Sequence, residues 1–171
     1  MSDPIVVGIG REQVKIVPGS FRSSVVFKKD FSKTVVVDCS DGRFTPTNEE
    51  FVERMFGTCN PDGLETPGGS AALSMTSAAS VAQYMSVKES LIFLVKGHNS
   101  GVVVLFAHED CGHYKHKNPG RSPEEIRLIQ LRDLRSCLKL VSDMLPSHVI
   151  VRAFFKRLEK DHVVFDEVLP T

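Results

Sequence analysis

Two short runs constrain the fold of this chain more than any other feature: TVVV at residues 34–37 and VVVLFA at residues 102–107. Successive positions in both are apolar or β-branched, without the alternation of a strand that shows one face to water. Such a run reads as a strand buried on both faces, the mark of a parallel sheet covered by helices. Helix signals separate them. TNEEFVERMFG (47–57) offers Thr47 as a cap, Glu50 to complete a capping box and Gly57 as a stop. SAALSMTSAASVAQYM (70–85) reads as a helix of small residues. SVKESLIFLVKGH (86–98) reads as a second, with Ser86 and Glu89 as its capping box and His98 at its end. The clearest helix is SPEEIRLIQLRDLRSCLKLVSDML (122–145), with Ser122 at the cap, Pro123 in the first turn and Glu125 three residues after the cap. CNPDGLETPGGS (59–70) is turn-rich, with at most a short strand around Leu64. HVIVRAFF and VVFDEVL close the chain as two strands joined by KRLEKD, suited to an antiparallel edge. The expected fold class is therefore α/β, a mostly parallel central sheet flanked by helices. Residues 1–33 are expected to form an irregular arm, with VVGIG, VKIV and SVVFKK as strand-like pieces, and residues 34–171 a single domain.

At 171 residues the chain is long enough to bury its own core. A formal net charge of zero argues against a nucleic-acid-binding surface. No apolar stretch approaches the roughly 18 residues of a membrane-spanning helix. No basic leader precedes the first apolar run, so a cytoplasmic location is the expectation. The four cysteines are too dispersed for a disulfide framework, and in a reducing compartment cysteine near histidine and aspartate points to metal or catalysis.

The two buried runs end in chemistry. TVVV leads into Cys39, Asp41 and Arg43, and VVVLFA into His108 and Cys111. In an open α/β sheet, function gathers beyond the carboxyl ends of the strands, where strand order reverses. If the two strands are neighbours, two thiolates and an imidazole converge, a donor set suited to tetrahedral zinc with a fourth position left for water or for Asp41. Taken singly, each motif also suits a plainer role: the cysteines as small buried residues and His108 as a polar strand end. A phosphatase-type loop does not fit, because Arg43 follows Cys39 too closely for the loop to wrap a phosphate. Cys137, on the apolar face of its helix, is expected in the core, and Cys59 in a loop.

The joint pattern, C-x-D-x-R after one strand and H-x-x-C-G after another, resembles the beta-class carbonic anhydrases over roughly residues 34–168. That resemblance implies that Cys39, His108 and Cys111 bind one zinc ion per chain. It implies that Asp41 either takes the fourth position or leaves it to water, with Arg43 holding Asp41 off the metal. It implies reversible hydration of CO2 to bicarbonate and a homodimer or larger homo-oligomer, with apolar helix faces at 70–97 and 123–145 as candidate contact surfaces. Gly68 and Gly69 stand where the family carries R-N-x-G, without the Arg and Asn. Gly112 follows the second cysteine, and Ala107 replaces the glycine usual before the histidine. Glu109 and Asp110 add charge there. His113, Tyr114 and His116 are candidates for a proton relay, a polar loop being the plainer reading. The departures keep open a zinc protein without rapid turnover, acting as a binding or regulatory protein, or on another small substrate such as carbonyl sulfide or carbon disulfide.

Overall fold

The computed structural model describes residues 5–9, 12–17, 19 and 21–170; the chain start at 1–4, Gly10 of VVGIG, Arg11, Pro18, Ser20 and Thr171 lie outside the described residues. The chain divides into two compact units, residues 1–30 and 31–171. In the first, β1 (Ile5–Ile9) and β2 (Glu12–Ile16) pair antiparallel, so two of the three strand-like pieces find each other. The third, at 24–29, forms no strand, and its residues are exposed. A strand needs a partner edge for its N–H and C=O groups, and none is paired with it.

The second unit holds β3 (Thr34–Cys39), α1 (Thr45–Phe56), β4 (Asp62–Thr66), α2 (Val81–Gly97), β5 (Val102–His108), α3 (Gly112–Lys117), α4 (Pro123–Met144), β6 (Ile150–Glu159) and β7 (His162–Val168). The sheet order is β4-β3-β5-β6-β7; the first four strands run parallel, and β7 pairs antiparallel with β6 at the edge. On one face Val35, Val37, Val103, Leu105 and Phe155 pack against Leu91 and Val95 of α2 and Leu134, Leu138 and Val141 of α4. On the other, Val36, Val104, Phe106 and Phe154 pack against Val52 and Phe51 of α1. Helices on both faces explain why the β3 and β5 runs carry no polar alternation. The chain leaves β3 towards β4 and returns past β3 to build β5. The strand order therefore reverses between β3 and β5, the place where open α/β sheets collect their ligands.

Helix boundaries differ from expectation in two places. Helix α1 starts at Thr45, with Phe44 as its cap and Pro46 in the first turn, while Thr47 lies inside it and donates its hydroxyl to the Phe44 carbonyl. Residues 70–85 are not one helix. Gly69–Leu73 is a 3-10 segment, a bend follows, and Ser80 caps a single α2 that runs through Ser86. The Ser80 hydroxyl accepts from the Gln83 N–H, so this serine ends the search for a cap before Ser86 is reached. Helix α4 carries the full Ser122–Glu125 capping box as expected. Strand β6 runs on to Glu159, so Lys156 belongs to the strand and not to the expected connecting loop.

Candidate metal centre

Cys39 ends β3, His108 ends β5, and Cys111 caps the N-terminus of α3. Their ligand atoms all lie within 4.8 Å of one another. Residues alternate across the sheet, so Cys39 points to the α4 side with Val35 and Val37, and His108 to the α1 side with Val104 and Phe106. The two meet at the sheet edge because β3 and β5 both stop there. The two sulfurs stand 4.0 Å apart. Tetrahedral zinc with Zn–S bonds of ~2.3 Å requires a sulfur separation of roughly 3.8 Å.

Three further features fit a metal cation. The Nδ1–H of His108 donates to the Glu109 carbonyl at 2.7 Å, which leaves Nε2 as the lone-pair nitrogen. That Nε2 is buried and has no hydrogen-bond partner, the one such side-chain atom among the described residues. A buried acceptor without a partner is costly unless something electron-poor meets it. Both sulfurs receive backbone amides, Cys39 from Gly68 and Cys111 from Tyr114 and His113 at the start of α3. Beside the Cys111 thiol the Cys39 thiol is held well below its ordinary range, while Cys39 and burial push Cys111 up. A cation that displaces their protons leaves two thiolates.

Asp41 and Arg43 form the rim. The Arg43 guanidinium grips the Asp41 carboxylate with Nε at 2.9 and 3.1 Å and Nη2 at 2.6 Å. Arg43 holds the Asp41 carboxyl down to about 2. Arg43 also reaches Asp110 at 3.6 Å, and Asp110 pairs with Lys115. Gly68 and Gly69 both have positive φ, +87° and +59°. A Cβ at Gly69 would fall 2.8 Å from the Cys39 nitrogen and 2.9 Å from the Phe106 carbonyl, so only glycine lets this segment pass against the ends of β3 and β5. A Cβ at Gly68 would strike the His113 ring. Gly112 begins α3 with open space around it. A hollow of about 290 Å³ opens beside Asp110 and Cys111, bounded by Lys115, Arg121 and Ile126.

The three relay candidates separate. His113 Nε2 is engaged by the Ser77 carbonyl at 2.9 Å, Tyr114 is buried with its hydroxyl donating to Asp133 at 3.2 Å, and His116 is exposed. Burial raises the Tyr114 pKa above its ordinary value. Cys137 lies in the core, its thiol pushed up to about 12 by burial, and Cys59 is exposed. His98 caps the end of α2 and pairs with Asp62 at 2.7 Å. The sequence reading missed a buried group directly beside the centre. Lys156, fully buried, donates to both Asp38 oxygens at 2.8 Å and to Asn48 Oδ1 at 3.1 Å. Alternation along β6 was the available signal: Phe154 and Lys156 share a face, opposite Ala153 and Phe155.

The family model described as "Putative carbonic anhydrase" matches residues 28–164. The chain belongs to this family. No curated protein matches the chain by sequence. Among solved structures, a carbonic anhydrase of Streptococcus mutans is similar with TM-score 0.51 at 17% identity, over 86% of this chain and 88% of that one. The beta-carbonic anhydrase isoform I of Trichomonas vaginalis is similar with TM-score 0.52 at 13% identity, over 84% and 87%. One of two tetrameric beta-carbonic anhydrases of Sordaria macrospora gives TM-score 0.51 at 12% identity, over 80% and 81%. These likenesses establish the beta-carbonic anhydrase fold. Among the described residues no helix of this carbonic-anhydrase-family chain is long and apolar enough to cross a membrane.

Proposed function

We propose that the chain is a zinc-dependent carbonic anhydrase of the beta type, interconverting CO2 and bicarbonate with one zinc ion held by Cys39, His108 and Cys111. The observation that carries this reading is the buried, partnerless Nε2 of His108 facing two sulfurs 4.0 Å apart. Zinc in such a set lowers the pKa of a bound water and so supplies hydroxide near neutral pH, the nucleophile that CO2 hydration needs. Around it the protein supplies orientation. Asp41 stays ionised under the Arg43 fork and keeps lone pairs free to accept a hydrogen bond from the nucleophile. Arg43, tied also towards Asp110, keeps that carboxylate off the metal. Gly68 and Gly69 let their backbone pass directly against the ends of β3 and β5 and against the His113 ring, which holds the strand ends bearing Cys39 and His108 in place. His116, exposed one turn beyond Gly112, is the relay candidate best placed to pass the released proton to water.

Assembly as a homodimer or tetramer belongs to the same proposal, as does a cytoplasmic location. The apolar residues Val81, Met85 and Phe93, left exposed on α2, support assembly, and the Sordaria macrospora structures are of tetrameric enzymes.

The test is stopped-flow CO2 hydration from about pH 6.5 to 9 on protein carrying near one zinc per chain. Turnover rising through a single apparent pKa is expected. Onset only at the alkaline end would mean that Asp41 occupies the fourth position until hydroxide competes for it. Fully metallated protein without turnover anywhere in the range would overturn CO2 hydration and leave the site to a binding role or to another small electrophile.

A further inference from the structure

The Lys156 ammonium sits where an apolar core would take a leucine. Around it, the α1 side of the sheet is built from Val36, Val52, Val104, Phe106 and Phe154. Burying a charge there costs several kcal/mol unless every hydrogen-bonding group is met. All three ammonium protons are met, two by Asp38 and one by Asn48, and Asn48 Nδ2 in turn donates to Asp38. The Lys156–Asp38 pair is buried and balanced in charge, so solubility does not account for it, and only Asn48 at its edge is partly exposed.

It does reach the metal centre through one ring. The ammonium lies 4.6 Å from the Phe44 ring centroid and 4.9 Å from that of Phe106. Phe44 is itself buried and stacks, tilted, on His108 with centroids 4.4 Å apart. Phe44 also ends the 3-10 turn Gly42–Phe44, whose cap is Asp41 and whose middle residue is Arg43. One aromatic side chain thus touches the histidine ligand on one side and the buried cation on the other, and its backbone carries the Asp41–Arg43 pair. Lys156 and His108 are direct partners in the β5–β6 register, which fixes the cation beside the ligand strand. Cation–ring attraction grows when both partners are desolvated, as here.

We propose that Lys156, anchored by Asp38 and Asn48, is a positioning residue for the metal centre: it seats Phe44 against His108 and so sets both the imidazole and the turn bearing Asp41 and Arg43. The proposal rests on the metal reading of Cys39, His108 and Cys111, and the experiment separates the two. Cobalt(II) is the probe, because its visible absorption reports coordination geometry without any substrate. Three variants are compared with the wild-type protein: the charge-free pair Asp38→Asn with Lys156→Met, Phe44→Leu, and the combination of all three substitutions. Far-UV circular dichroism establishes that each is folded.

Loss of a group that orients a metal-binding histidine typically weakens metal affinity 10–100-fold. That loss is expected in the charge-free pair and in Phe44→Leu, together with altered cobalt bands, and the combined variant should bind no more weakly than Phe44→Leu alone, since the effect passes through that ring. A folded charge-free pair with wild-type cobalt affinity and spectrum would overturn the proposal, as would losses that simply add. If the charge-free pair does not fold, Phe44→Leu decides by itself: an unchanged spectrum and affinity overturns the role of the ring and of the cation behind it. Wild-type protein that takes up neither cobalt nor zinc would remove the metal reading first, and this proposal with it.

Discussion

The carboxylate of Asp41 has two claimants: the Arg43 fork that holds it and, in the proposed function, a zinc ion at Cys39. Replacing it by Asn keeps the shape of the rim but removes the charge that Arg43 grips. Asp41→Asn is expected to retain zinc near one per chain, because none of the three ligands is touched, while hydration falls by roughly 10–100-fold. Metal analysis and stopped flow on the same sample check both halves; undiminished turnover would deny Asp41 an orienting role. Gly69 makes a second demand at this scale. Its φ of +59° and the 2.8 Å approach of a Cβ to the Cys39 nitrogen make Gly69→Ala expensive. A loss of about 1–3 kcal/mol is expected in a denaturant midpoint. Gly112→Ala, in open space, should lie within about 0.5 kcal/mol of wild type. The convergence of Cys39, His108 and Cys111 is legible before the fold, because cysteine and histidine at the ends of buried runs are few and chemically distinctive. Asp38 and Lys156 are not. A lysine at what looked like the start of a loop suggests a solvated tip, and only a strand continuing to Glu159 turns it inward.

Elements were legible where the signal was local and less so where it depended on neighbours. Helix α4 announced both its cap and its face, since the Ser122–Glu125 box and the apolar stripe through Leu134, Leu138 and Val141 are written in consecutive residues. The sequence puts a boundary between two helices at Ser86, inside what is the single helix α2. Its helical residues carry apolar side chains on nearly every side, so no stripe marks where it begins, and two serines compete as caps. The small-residue stretch before it bends instead of coiling because its backbone is held from outside. Ser70 Oγ donates to the Phe106 carbonyl, and the Cys137 thiol donates to the Ser70 carbonyl. The edge pair β6–β7 illustrates an electrostatic contribution at this scale. Arg152 grips Glu167 through two bonds of 2.7 Å across the strands and holds the Glu167 carboxyl below its ordinary value. A carboxyl whose folded pKa is depressed stabilises the fold fully above its unfolded pKa of about 4.3, and that stabilisation is lost as pH falls through the lower folded value. Glu167→Gln is therefore expected to cost up to about 1 kcal/mol at neutral pH, the two side chains being about a third exposed. The deficit should vanish in acid, so denaturant midpoints of wild type and variant should converge there; a deficit independent of pH would assign it to packing.

At the scale of the whole molecule, the candidate metal centre joins three elements that also pack on one another, Cys39, Cys111, Tyr114 and Ile126 forming one apolar cluster. Cys39 brings the end of β3, His108 the end of β5, and Cys111 the start of α3. Gln130 of α4 donates to the His108 carbonyl at 2.7 Å, which extends the tie to the longest helix. The protein alone does not satisfy this cluster: the buried His108 Nε2 has no partner, and it faces two sulfurs 4.0 Å apart. A ligand that binds the folded state alone stabilises it by about 2.7 kcal/mol at 100 times its dissociation constant and about 4.1 kcal/mol at 1,000 times. In a chain of this length each kcal/mol moves the melting temperature by about 2–4 °C. Metal-free protein is thus expected to melt roughly 5–16 °C below zinc-loaded protein in scanning calorimetry, with the difference restored by adding zinc. The zinc-dependent shift should be strongly reduced in Cys111→Ser, where a thiolate ligand is lost from the α3 cap. Equal melting temperatures for the metal-free and zinc-loaded wild-type protein would mean that the three side chains do not act as one site, whatever their separation.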